Sequence, residues 1–126
     1  MATDVINLAW KQMCKRKFSE AITLLESKAD VYEEDFEFYI MIATAFLYIG
    51  DFGSASTYFQ KARKIKITDT RLLLGQAIIF LRRGDTKRAL QYYLDVKDNE
   101  PSNKIAADAI EFIRVNGDYD TICRSF

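Results

Sequence analysis

Apolar residues recur at i, i+3, i+4 spacing along almost the whole of the 126-residue chain, the pattern of amphipathic helices. The pattern predicts helices over Thr3 to about Lys15, Ser19 to about Ala29, Phe36 to Ile49, Gly53 to Ile65, Thr70 to Arg83 and Thr86 to Lys97. A seventh runs from a cap at Ser102 or Asn103 to about Val115, and Gly117-Asp118 separates it from a partial eighth over Asp118 to Phe126. Thr3 or Asp4, Ser19 and Asp69 are placed to cap helix N-termini. Gly50 is placed as a left-handed C-terminal cap. Asp98-Asn99-Glu100-Pro101 must end the sixth helix, because proline cannot continue one. With one proline and five glycines, the chain has too few breakers for many short strands. The fold class is all-α.

A fixed period of 34 residues links these helices. Gly50 and Gly84 lie 34 apart, as do Asp51 and Asp85, Phe46 and Phe80, and Phe59 and Tyr93. The small residues Ala9, Ala43 and Ala77 form one such ladder, and Ala21, Ala55 and Ala89 another. Phe18 and Phe52 share the period too. A ladder of small and large residues at one period marks a helical array. The alanines let paired helices approach closely, while Tyr39, Phe46 and Phe59 fill the space between pairs.

The stretch Asp35–Thr68 carries Tyr39, Ala43, Phe46, Gly50-Asp51-Phe52, Ala55, Phe59 and Ala62 in order. This resembles the tetratricopeptide repeat (TPR) family, lacking only the closing proline, where Ile67 stands. The next unit has Leu73, Ala77, Phe80, Gly84-Asp85, Ala89, Tyr93 and Pro101, with Thr86 for the turn aromatic and Val96 for the last alanine. The first unit is weaker: it keeps Ala9, Phe18 and Ala21 but has Val5 early, Gln12 for the aromatic and Arg16 for the glycine. The resemblance implies a right-handed array of three helix-turn-helix units, about residues 2–35, 36–69 and 70–103, in a single domain spanning 1–126. A capping helix at about 104–116 and a short tail follow. Lys104, Asp108, Glu111 and Arg114 give that helix a polar outside, with Ile105, Ala109, Phe112 and Val115 facing the preceding pair or the groove.

The resemblance also implies that the first helix of each pair lines a concave, partner-binding surface. In this register the partner-facing residues are Ile6, Trp10 and Met13; Ile40, Met41, Thr44, Leu47 and Tyr48; and Arg71, Leu74, Ile78 and Leu81. Some members of the family hold an acidic C-terminal peptide in a clamp of lysines, asparagines and an arginine. The matching positions here are Ile6, Trp10, Met41, Arg71 and Gly75, so only Arg71 is clamp-like, and the sequence argues against that mode. A mostly apolar strip instead suits an amphipathic helix or apolar segment of another protein. Trp10 and Tyr48 are hot-spot types, and Met13 and Met41 adapt to shape. The same residues could equally fill a tightly wound array or be covered by the C-terminal segment. A self-associating structural module and a small chaperone of the bacterial secretion type are the alternative readings.

Composition narrows the field. Lys plus Arg and Asp plus Glu both number 18, so net charge is zero. That lacks the basic excess of nucleic-acid binders. The basic runs Lys15-Arg16-Lys17, Lys61–Lys66 and Arg82-Arg83…Lys87-Arg88 read as solvated faces. Cys14 and Cys123, with no histidine in the chain, make a poor zinc set and read as reduced thiols. The missing histidine also removes cysteine–histidine catalysis, and no phosphate-binding glycine motif occurs. No enzyme activity, cofactor or metal is expected. MATDVINLAWKQ lacks signal-peptide character, and no apolar run reaches the length of a membrane span. The expected location is the cytoplasm, either as given or as the cytosolic part of a longer, membrane-anchored protein.

Overall fold

A computed structural model describes residues 2–115. The partial eighth helix, the Gly117-Asp118 stop and Cys123 lie outside the described residues. All seven helices among the described residues pack as hairpins or against them, in two compact units, Met1–Ile67 and Thr68–Phe126.

The first unit holds α1 (Ala2–Cys14), α2 (Phe18–Glu26), α3 (Phe36–Tyr48) and α4 (Phe52–Ile65). Helices α1 and α2 pair, α3 and α4 pair, and α2 joins the pairs by packing on α3. The second unit holds α5 (Thr70–Arg82), α6 (Thr86–Asn99) and α7 (Lys104–Val115), with α5 paired to α6 and α7 laid on α6.

The 34-residue period is written into the turns as hydrogen bonds. Gly50 N–H donates to Leu47 O and Asp51 N–H to Phe46 O; Gly84 N–H donates to Leu81 O and Asp85 N–H to Phe80 O. Arg16 N–H and Lys17 N–H repeat the pattern on Met13 O and Gln12 O. Such pairs satisfy carbonyls that a helix end leaves unpaired, and they place the turn residue at positive φ. Gly50 and Gly84 adopt φ 86° and 81°, and Arg16 adopts 63° without glycine's freedom. Asp51 then caps α4 by accepting from Ser54 N–H, and Asp85 caps α6 by accepting from Arg88 N–H. Asp35, Asp69 and Asn103 cap α3, α5 and α7 in the same way.

Three boundary expectations need correcting. Helix α1 starts at Ala2, so Thr3 and Asp4 fall inside it. Lys17, not Ser19, occupies the N-cap of α2 and supplies no side-chain cap. The turn register overrides Ser19, since Ala21 N–H must reach Lys17 O as Ala55 N–H reaches Asp51 O. Helix α6 runs two residues past Lys97 to Asn99, because the effect of Pro101 falls on the residue just before it.

The ladder alanines are the inside of each hairpin. Ala9, Ala21, Ala43, Ala55, Ala77 and Ala89 are all fully buried. In the second unit, Leu73, Ala77, Ala89, Leu90, Tyr93 and Val96 form one cluster with Ala106, Ile110 and Ile113 of α7. Of the four α7 residues expected to face the preceding pair or the groove, Ala109 packs against this cluster, while Ile105, Phe112 and Val115 are exposed and lie outside it.

Candidate functional site

The sequence-derived partner residues divide into supports and exposed groups. In the first unit, Met13 and Ile40 are buried, and Ile6, Met41, Thr44 and Leu47 are half-buried. Trp10 and Tyr48 stand out at 57% and 62% exposure. Helices α1 and α3 touch, so these residues share one unit. Thr44 is already engaged: its hydroxyl donates back to Ile40 O at 2.7 Å. Tyr48 is held by stacking on Phe18, the first residue of α2. An ordered aromatic ring with one open face is suited to bury apolar surface of a partner at small entropy cost.

In the second unit, Leu74, Ile78 and Leu81 of α5 are half-buried, and Leu74 and Leu81 pack on the α5–α6–α7 cluster. Arg71 is exposed but committed. Its Nε and Nη2 meet Asp69 Oδ1 and Oδ2 at 3.1 and 3.0 Å, and its own N–H donates to Asp69 Oδ1 at 2.9 Å. Burial pushes the Asp69 carboxyl up, but the hydrogen bonds and charge of Arg71 outweigh it and hold the group below the usual carboxylate range. The two-point pair ties the guanidinium to Asp69 and offsets its charge, which adds to the sequence argument against a clamp.

Helix α7 carries positions that the sequence reading left open. Ile105, Phe112 and Val115 lie 34 residues beyond Arg71, Ile78 and Leu81, and all three are at least 60% exposed. Extending the α5 register by one period finds them. Their neighbours Ala106, Ile110 and Ile113 take the buried face.

A second feature of the first unit had no signal in the helical pattern. A cleft of about 720 Å³ lies between the α2–α3 connection and α4, lined by Asp30, Glu33 and Glu34 on one side and Lys61, Lys64 and Ile65 on another. Phe38, Tyr39 and Tyr58 line it too. These rings continue a chain of contacts from Tyr32 to Phe46: Tyr32–Phe38, Phe38–Tyr39, Tyr39–Tyr58 and Tyr58–Phe46. Lys61 Nζ sits over Tyr58 and Tyr39 at 5.1 and 5.9 Å from the ring centres. The ring faces are thus already matched by a cation of the same unit. Desolvation, with the charge of Glu26 second, raises the Tyr58 phenol above its ordinary value.

Cys14 is exposed and free. Among the described residues no group of three or more His, Cys, Asp or Glu could hold a metal ion. No helix among them is long and apolar enough to cross a membrane.

No protein-family model matches the chain, and no curated protein matches it. Solved structures do match. One is the type III secretion translocator chaperone SycD of Yersinia enterocolitica in an alternative dimer. It is similar at a TM-score of 0.81 and 14% identity, over 90% of this chain and 92% of that one. A second is the same chaperone in complex with a peptide of the translocator YopD. There the TM-score is 0.80 at 15% identity, over 91% of this chain and 93% of that one. The chain therefore has the all-α, TPR-like repeat fold of that chaperone.

Proposed function

We propose that this chain is a non-enzymatic member of the TPR family that binds an apolar or amphipathic helical segment of another protein, in the manner of a small secretion chaperone. Its repeat units are residues 2–35, 36–69 and 70–103, and α7 follows as the capping helix. The observation that carries the reading is that one unit holds two large exposed aromatics, Trp10 and Tyr48, together with the half-buried Ile6, Met41 and Leu47, on the touching helices α1 and α3. Large exposed apolar groups gathered on one unit mark a binding surface more often than chance exposure does. The likeness to a chaperone solved with a partner's peptide supports it. Leu74, Ile78 and Leu81, and after them Ile105, Phe112 and Val115, continue the register in the second unit and offer the same kind of surface. The cytoplasm is the compartment this reading places it in, with Cys14 reduced.

Trp10 is the only tryptophan, so its emission reports on this surface directly. Titration with a helical peptide bearing leucines at i, i+3, i+4 and i+7 should shift that emission to the blue, and Leu47→Glu should weaken binding at least tenfold. Ile40→Glu is the wrong probe, since Ile40 is 4% exposed and a charge there would break the core. An emission unchanged up to millimolar peptide would refute the reading.

Self-association is the second reading. It is favoured by Leu8, 49% exposed on a different face of α1 from Trp10, and by the dimeric form of the similar chaperone. Light scattering that shows a monomer at high concentration would remove it.

A further inference from the structure

The three hairpin turns share one set of backbone bonds, yet the side chains that favour those turns are missing from the first. We propose that the α1–α2 hairpin is a releasable element, hinged at Arg16-Lys17, which opens while the α3–α4 hairpin stays folded.

Three separate features lower the stability of the closed form of this hairpin relative to the α3–α4 hairpin. Arg16 holds φ 63° where the other turns use glycine, and a Cβ is disfavoured in the left-handed region. Lys17 stands at the N-cap with no side-chain hydrogen bond, where Asp51 and Asp85 each accept one. Gln12 replaces Phe46 and Phe80, and its Oε1 is buried with no hydrogen-bond partner, a desolvated carbonyl that water would satisfy in the open form. Helix α2 has nine residues, the fewest of the seven described, so it has the least helix of its own to resist. None of these features burdens the open state, in which Arg16 relaxes to negative φ and Gln12 is solvated. Local openings of this kind draw on the least stabilised parts of a fold. For the partner-binding reading, on which this one consequence rests, Trp10 rides on the releasable helix, so opening removes it from the surface.

Hydrogen exchange followed by mass spectrometry on the full chain, without any partner, tests the hinge independently of binding. Amides of Ala9–Met13 should be at least about tenfold less protected than those of Ala43–Leu47. The variant Arg16→Gly with Lys17→Asp installs what the other turns have, at two exposed positions. It should raise protection in α1 by roughly tenfold or more and leave α3 and α5 unchanged. Fraying from Ala2 would not respond to a change at the opposite end of the helix. Equal protection in α1 and α3 overturns the proposal. So does a double variant that leaves α1 unchanged or protects every helix alike.

Discussion

Phe18 at the start of α2 stacks on Tyr48 at the end of α3, with ring centres 4.7 Å apart and planes 7° from parallel. The pair ties the first hairpin to the second at the edge where Tyr48 meets solvent. Phe18→Ala should cost about 1–2 kcal/mol in urea unfolding. A double-mutant cycle with Tyr48→Ala should return a coupling of about 0.5–1.5 kcal/mol. Additive effects would mean that the stack contributes nothing of its own.

Gly50 tests the backbone alone. A Cβ built on Gly50 meets nothing within 4 Å, while φ is 86°. Gly50→Ala should therefore cost about 1 kcal/mol from conformation with no steric part. Gly84→Ala should cost a similar amount by the same measurement.

Thr86 is fully buried at the position held by Phe18 and Phe52, and its Oγ1 has no hydrogen-bond partner. Thr86→Val keeps the shape and removes the unsatisfied hydroxyl. The variant should be more stable by up to about 1 kcal/mol, read as a raised urea midpoint with the slope unchanged.

Asp69 gives a pH dependence with a definite sign. Its carboxyl is held below its ordinary value of 3.8, so its stabilisation is complete above that pH. The contribution is lost as pH falls through 3.8 and then through the lower folded value. Asp69→Asn keeps a capping side chain but loses the charge opposite Arg71. It should be less stable than the parent at pH 7 by less than about 1 kcal/mol, as suits a pair with an exposed partner. The gap should close in chemical unfolding below pH 3.8, and a gap that stays constant with pH would show that Arg71 does not set the shift.

Ala55 is fully buried where α4 meets α3. Ala55→Leu should overpack that contact and cost about 1–3 kcal/mol in denaturant unfolding.

Much of this architecture is legible in the sequence because the repeat states each constraint several times. The alanines at 34-residue spacing name the contacts between paired helices, and all six prove fully buried. Gly50 and Gly84 name the turns, and both have positive φ. What was not legible depends on one-sided or non-repeated facts. Ser19 looks like a cap by residue type, but the turn register puts Lys17 there. The apolar residues of α7 fit two faces by periodicity, and only packing on α6 selects Ala106, Ile110 and Ile113 over Ile105, Phe112 and Val115. Likewise Met13 and Ile40 share a register with Trp10 and Tyr48, yet are buried while those are exposed. The cleft beside α4 needs the path of the α2–α3 connection, which no helical period encodes.

The turn bonds named above span at most five residues each, and each hairpin draws its ladder alanines from a stretch of about one repeat. Fast folding follows from contacts so close in sequence. During synthesis at roughly 5–20 residues per second, each hairpin can close a few seconds after its own residues leave the ribosome. The nascent chain then never has to keep a long apolar stretch waiting for a distant mate.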